Sequence, residues 1–308
     1  MYHYVRNTKK EFPYFRYLSV ENFSKQLDYF QREYGFVSYS DLLNIKNENV
    51  FNNNNNKILL TFDDGFIDHY QYVLPELKKR NLFGIFYVPT GVYEKEKALD
   101  VHRIHYLLGK VGGKILIDLM DSKIDSHMIK VEDYNLFKNS TYVDQDNDFY
   151  TQEFKKIFNY YIKYEYREHL LDKLVNVITT DKDIFTNLYM NEKQLKEMDN
   201  CGMVIGSHSI NHYVFSKLSN TEQYNEIYGS FKFIENLINN SDIKTFCYPY
   251  GGFETFTDFT QRTLSEIGCD FSFNVEYRNV IYDDIINRQQ SLPRFDCNKF
   301  PYGKTSLG

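Results

Sequence analysis

The chain of 308 residues sets 36 Lys and Arg against 42 Asp and Glu, a net charge of −6, and 42% of it is hydrophobic. That length makes one large or two ordinary domains, and the charge balance excludes a nucleic-acid binder that works through a basic surface. Cys201, Cys247, Cys269 and Cys297 lie far apart with no CxxC pair, which excludes a disulfide framework or a Cys-rich zinc module and fits a reducing compartment.

No apolar run approaches the ~20 residues of a membrane span, and Met1-Tyr2-His3-Tyr4 is not a basic then apolar leader, so a soluble, cytoplasmic protein is expected. In chain order, Val20 to Tyr34 reads as a helix with Phe23, Leu27 and Phe30 on one face and Gly35 as its stop. Asn52 to Asn56 is a surface loop. Lys57 to Phe62 is a buried strand ending at Asp63-Asp64-Gly65. A helix follows, with Tyr70, Val73, Leu74 and Leu77 at helical spacing and Lys78-Lys79-Arg80 at its C-terminal dipole, then a strand from Phe83 to Val88. This βαβ unit predicts an α/β fold with parallel strands.

From about Glu94 to Asn200 the pattern becomes long amphipathic helices nearly free of Gly and Pro, a helical insertion or cap. Alternation then resumes. Met203 to Ile205 is a strand running into Gly206-Ser207-His208, and Ser219 with Glu222 forms a capping box for a helix toward Asn239. Thr245 to Tyr248 is a strand running into Pro249-Tyr250-Gly251-Gly252. Thr260 to Ile267 is a helix stopped by Gly268, and Phe271 to Val275 and Ser291 to Phe295 are the last strands.

Asp63 and Asp64 stand at the C-terminal end of a buried strand, where α/β folds place reactive groups. Alone the pair reads as an ordinary Asp-Gly turn with solvated side chains. Adjacent residues leaving a strand point in different directions, so one carboxylate can bind a metal while the other reaches substrate. His208-Ser209-Ile210-Asn211-His212 separates two imidazoles by four positions, which on a helical turn puts both rings on one face. A zincin protease would need Glu where Ser209 stands. One Asp and two His leave a zinc ion an open position for water, the arrangement of a hydrolytic site, and Asp63 remains to take that water's proton.

Thr61-Phe62-Asp63-Asp64-Gly65, His208-Ser209-Ile210-Asn211-His212 and Tyr248-Pro249-Tyr250-Gly251, in that order, resemble three motifs of the NodB-type polysaccharide deacetylases, the family-four carbohydrate esterases. The resemblance covers roughly Lys57 to Phe295. It implies a distorted (β/α) barrel of about seven strands, a single deacetylase domain over 1–308 with the helical insertion at about 94–200. The implied activity is metal-dependent hydrolysis of the N-acetyl group of an amino sugar in a polysaccharide or glycan precursor, a carbon–nitrogen bond that is not a peptide bond. Asp63 would be the general base, Asp64, His208 and His212 the ligands of Zn²⁺ (or Co²⁺, Ni²⁺ or Fe²⁺), and the Tyr250 N–H, beside Pro249, part of the oxyanion site.

The departures from the family pattern carry their own expectations. Cys247 stands where the family commonly has an Arg that orients the base, and Arg294 is expected to supply that charge from another strand. No Trp exists for the fourth motif, and no His lies beyond His212 to act as general acid. His3 is the candidate, because Tyr2-His3 resembles the opening strand of the poly-N-acetylglucosamine deacetylase-like branch. His102 and His105, three apart on a helix opening the insertion, compete with it, and His69 is read as structural. The alternatives are an N-deformylase or other N-deacylase of a nucleotide- or lipid-linked sugar, or a non-catalytic glycan-binding relative.

Overall fold

The computed structural model describes residues 1–7, 10–48, 56–120, 123–139, 141–142, 147–238 and 242–307. Of the expected Asn52 to Asn56 loop only Asn56 is among them, and the helix end expected at Asn239 lies outside them. The chain forms two compact units, one of Met1–Asn7, Leu18–Lys95 and Leu188–Thr305, the other of Thr8–Tyr17, Glu96–Asn187 and Ser306–Gly308.

In the first unit, β1 (Val5–Arg6) pairs in parallel with the end of β2 (Arg16–Ser19), matching Val5 to Leu18 and Arg6 to Ser19. The central sheet runs β3 (Thr61–Phe62), β4 (Ile85–Val88), β5 (Val204–Ser207), β6 (Thr245–Cys247) and β7 (Phe271–Phe273), all parallel and in sequence order. Every strand residue is buried, so the strands read as continuous apolar runs rather than alternating ones. Single parallel bridges extend both edges, Tyr2 to Phe62 and Phe273 to Leu292. The added segments meet where the Cys297 N–H donates to the Met1 carbonyl, 3.1 Å away. Five strands and two bridged segments thus make the curled (β/α) barrel that the motifs implied.

The local departures from expectation have identifiable causes. Of Lys57 to Phe62 only Thr61–Phe62 joins the sheet ladder, because Ile58 bridges Phe36 instead. Ser291 to Phe295 is not a strand. After the Leu292 N–H donates to the Ser272 carbonyl at 2.8 Å, Pro293 has no N–H to continue the ladder. The helix after Asp63-Asp64-Gly65 opens as a π-helical turn, His69–Val73, and becomes α-helical at Leu74–Lys79, where Pro75 occupies the first turn. The capping box is present at the helix Asn220–Leu237, with the Ser219 N–H donating to Glu222 at 2.8 Å.

Beneath the site, Phe62 stacks between Tyr2 and Phe86 at centroid distances of 5.2 and 4.6 Å. A Cβ on Gly84 would lie 2.9 Å from the Phe62 ring, so only glycine lets β4 approach this closely. Phe23, Leu27, Met198 and Ile205 complete that core from the helices Val20–Glu33 and Glu192–Asn200 and from β5.

The second unit is helical, with its longest helices at Asp100–Val111 and Tyr164–Ile178 and β8 (Ser306–Leu307) paired antiparallel to Arg16 and Tyr17. Ile104, Leu107, Phe154, Phe158, Leu170 and Leu171 are fully buried in it. So is Arg103, which is possible because Asp100, Asp172 and Asp181 surround its guanidinium. Among the described residues no helix is long and apolar enough to cross a membrane.

Candidate active site

The site forms at the C-terminal ends of β3, β5 and β6. Asp64 leaves β3 with φ +80° and Gly65 follows with φ +64°, so the chain turns sharply and the two carboxylates diverge. Both are buried, at 2% and 4% exposure. Positive φ recurs at Ser209 (+63°), His212 (+54°) and Tyr250 (+64°). Such backbone persists in non-glycine residues only where the surroundings over-determine it, and here it gathers at one site.

Asp63 is gripped by Arg294, whose two terminal nitrogens each donate to one carboxylate oxygen at 2.8 Å. The same guanidinium reaches Thr61 Oγ1 at 3.1 Å and Cys247 Sγ at 2.8 Å. Burial by itself would raise the Asp63 carboxyl, but the charge and hydrogen bonds of Arg294 overcome it and hold Asp63 well below the usual carboxylate range. Arg294 therefore meets Asp63 directly, and Cys247 is left as a small buried thiol that accepts from Arg294 and donates toward Asp63 Oδ2 at 3.6 Å. His3 Nε2 lies 3.9 Å from Asp63 Oδ2 with its side chain 41% exposed, near that carboxylate but too far for a hydrogen bond.

Asp64 Oδ1 faces His208 Nε2 at 3.6 Å and His212 Nε2 at 3.5 Å, with the two rings nearly perpendicular. The His208 Nδ1–H donates to the Cys247 carbonyl at 2.8 Å, which leaves the Nε2 lone pair aimed at Asp64. Burial lowers the His208 pKa against the opposing pull of Asp63 and Asp64, so the ring is neutral at pH 7. Two imidazole nitrogens facing one carboxylate oxygen at 3.5 and 3.6 Å are a donor set that a divalent cation can satisfy. The second group of donors, Asp63, His208 and Cys247, suits a cation less well, because one cationic nitrogen of Arg294 already lies 2.8 Å from both Asp63 Oδ2 and Cys247 Sγ.

The sequence led us to expect a helical turn under His208 and His212; the structure has a loop instead. Its left-handed residues bring the rings together where a helix would have used the i, i+4 spacing. Glu226 on the helix Asn220–Leu237 fixes this loop, accepting from the N–H groups of Ile210 (3.0 Å) and Asn211 (2.7 Å) and from the Asn211 amide (2.6 Å). The His212 N–H donates to Ser209 Oγ at 3.0 Å. Replacing Glu226 by Ala leaves those N–H groups without their acceptor and should loosen both imidazoles. Metal affinity is expected to fall roughly 10- to 100-fold, read by competition with a coloured chelator, and an unchanged affinity would show that the loop holds itself.

Pro249 is buried in the turn after β6, and the ring of Tyr250 lies 5.0 Å from that of His212. Asp63, Asp64, His3, His208, His212, Tyr250 and Arg294 thus come together in the first unit. His102 and His105 lie on the helix Asp100–Val111 of the second unit, His102 fully buried and the rings 6.2 Å apart, and neither enters a metal-competent group among the described residues.

With this geometry in hand, comparison with known proteins is informative. A family model described as polysaccharide deacetylase matches residues 172–271, which span His208, His212 and the Tyr250 turn. That match covers about a third of the chain. No curated protein matches it. Solved structures share the domain's fold. The Streptococcus pyogenes deacetylase PplD, in complex with acetate, has a TM-score of 0.56 at 17% identity, covering 96% of this chain and 89% of its own. A de-N-acetylase from Aggregatibacter actinomycetemcomitans gives 0.53 at 16%, covering 96% and 92%, and IcaB from Ammonifex degensii gives 0.50 at 18%, covering 89% and 81%.

Proposed function

We propose that this deacetylase domain hydrolyses the N-acetyl group of an amino sugar, in a polysaccharide or a glycan precursor, releasing a free amine and acetate. The observation that carries the reading is the opposition of two unlike carboxylates: Asp63 locked as an anion by Arg294, and Asp64 facing the Nε2 atoms of two imidazoles. Asp64, His208 and His212 would hold a divalent ion, for which we propose Zn²⁺; Co²⁺, Ni²⁺ and Fe²⁺ suit the same donors. Such an ion supplies Lewis acidity, polarising a carbonyl and acidifying a water toward about 7.

Asp63 takes the water's proton as the oxygen–carbon bond forms. A carboxylate held this far below its usual range accepts a proton only from an acidified donor, so the two halves of the site depend on each other. The Tyr250 N–H donates to the carbonyl oxygen as charge develops there. His3 delivers a proton to the nitrogen as the carbon–nitrogen bond breaks. The Streptococcus pyogenes structure holds acetate, the acid this reaction would release.

Amine release from N-acetylglucosamine oligomers tests the reading. A chelator should abolish it and added Zn²⁺ restore it. Release indifferent to chelator, or none from any N-acetylated oligomer, would overturn the proposal.

A further inference from the structure

We infer that Asp68 and His69 are positioning residues that hold the N-terminal segment as a working wall of the site, fixing where the His3 imidazole stands relative to Asp63. The inference rests on the deacetylase reading, in which His3 is the proton donor.

The imidazole of His3 lies 3.9 Å from Asp63 and is 41% exposed, so its own contacts do little to locate it. Its backbone is held instead. The Tyr2 N–H donates to the Thr61 carbonyl and the Asp63 N–H to the Tyr2 carbonyl, both at 2.9 Å. His69 Nε2 lies 2.8 Å from the His3 carbonyl. A carbonyl only accepts, so this nitrogen carries the proton, and burial, which lowers the His69 pKa to about 4, keeps the ring neutral. The ring of Tyr4 stacks on that of Phe66 at 4.1 Å. Arg6 meets Asp68 through two hydrogen bonds of 2.7 and 2.9 Å, with both residues more than nine-tenths buried.

Phe66, Asp68 and His69 thus take hold of Tyr4, Arg6 and His3 in turn, and all three follow Asp63-Asp64-Gly65 directly in sequence. The consecutive Asp68 and His69 stand where the π-helical turn His69–Val73 begins, a feature often found at functional sites. Base and acid are therefore carried on one short stretch of chain and its docked strand. Without the clamp the barrel can still close through β3, but His3 is free to drift, and a displacement of about 1 Å at a reacting group can cost 10²-fold in rate.

The variants are His69→Phe, which fills the aromatic box formed by Phe62, Phe66 and Phe86 but has no N–H; His69→Gln, which restores a donor; and Asp68→Asn paired with Arg6→Gln, which avoids a stranded guanidinium. His69→Phe and the Arg6/Asp68 double variant should each lower kcat roughly 10- to 100-fold with KM and melting temperature little changed, and His69→Gln should recover most of the loss. In a His3→Ala background the same changes should have less than about a twofold effect, because the group they position is gone. Losses that multiply with that of His3→Ala, or kcat within about twofold of the parent, would overturn the inference.

An imidazole NMR signal assigned to His3 gives a readout independent of turnover. It should shift when Asp63 is changed to Asn in the parent, and lose that response in the His69→Phe background. If the parent releases no amine, the deacetylase reading fails by itself. The clamp then stands or falls on this coupling, and a response that survives His69→Phe would refute it.

Discussion

Changing Asp63 to Asn should cut amine release by a factor on the order of 10³, within the span typical of a general base, while leaving a divalent ion bound. Asn keeps the shape of Asp and one oxygen for Arg294, but it cannot take a proton. The donors Asp64, His208 and His212 are untouched, so metal content measured on the purified variant should match the parent. Asp64→Asn should behave differently, losing metal and rate together, because its oxygen faces both imidazoles. The adjacent carboxylates are then separable: one substitution removes chemistry at constant metal and the other removes both. A Asp63→Asn protein that retains activity within about tenfold of the parent would take the base assignment with it.

That two neighbouring acids face different partners was legible in the sequence, because consecutive residues at a strand end cannot point the same way. The motif order, the capping box at Ser219 and the succession of strands were legible for the same kind of reason, being set by local residue type. What the sequence left unread was set by partners far along the chain. The left-handed loop of His208 to His212 replaces the helical turn that i, i+4 spacing suggests, because Glu226, sixteen residues beyond Ile210, gathers its N–H groups. No local pattern marks Glu226 for that task. His69 looks structural in sequence and is buried as expected; only the fold reveals that its partner is the carbonyl of His3. The strand expected at Ser291 to Phe295 failed for a local reason that was available, since Pro293 cannot donate to a ladder. Its neighbour Arg294 nonetheless reaches Asp63, because one bridge at Leu292 is enough to dock the segment against β7.

Arg294 gives the second large effect. Replacing it with Met keeps most of the volume but leaves Asp63 a buried, unpaired carboxylate, and removing one partner of such a pair typically costs about 3–5 kcal/mol. The pH dependence distinguishes this cause from simple loss of packing. In the parent the folded-state pKa of Asp63 lies below its unfolded value, so the pair's contribution is present above about pH 4 and is lost as the pH falls through the depressed folded value. In the variant the largest opposition to burial, the charge and hydrogen bonds of Arg294, is gone, and the folded pKa is expected to rise above the unfolded one. The variant should therefore lose stability as the pH rises from about 4 toward that raised pKa, while the contribution of Asp63 to the parent stays flat. Denaturant unfolding of both proteins across this range, in chelator so that metal binding does not enter, should give a stability gap that widens with pH and then levels. A gap independent of pH would mean that Arg294 contributes by packing over the Tyr87 ring, 5.7 Å from its guanidinium carbon, and against Cys247 rather than by holding Asp63 ionised.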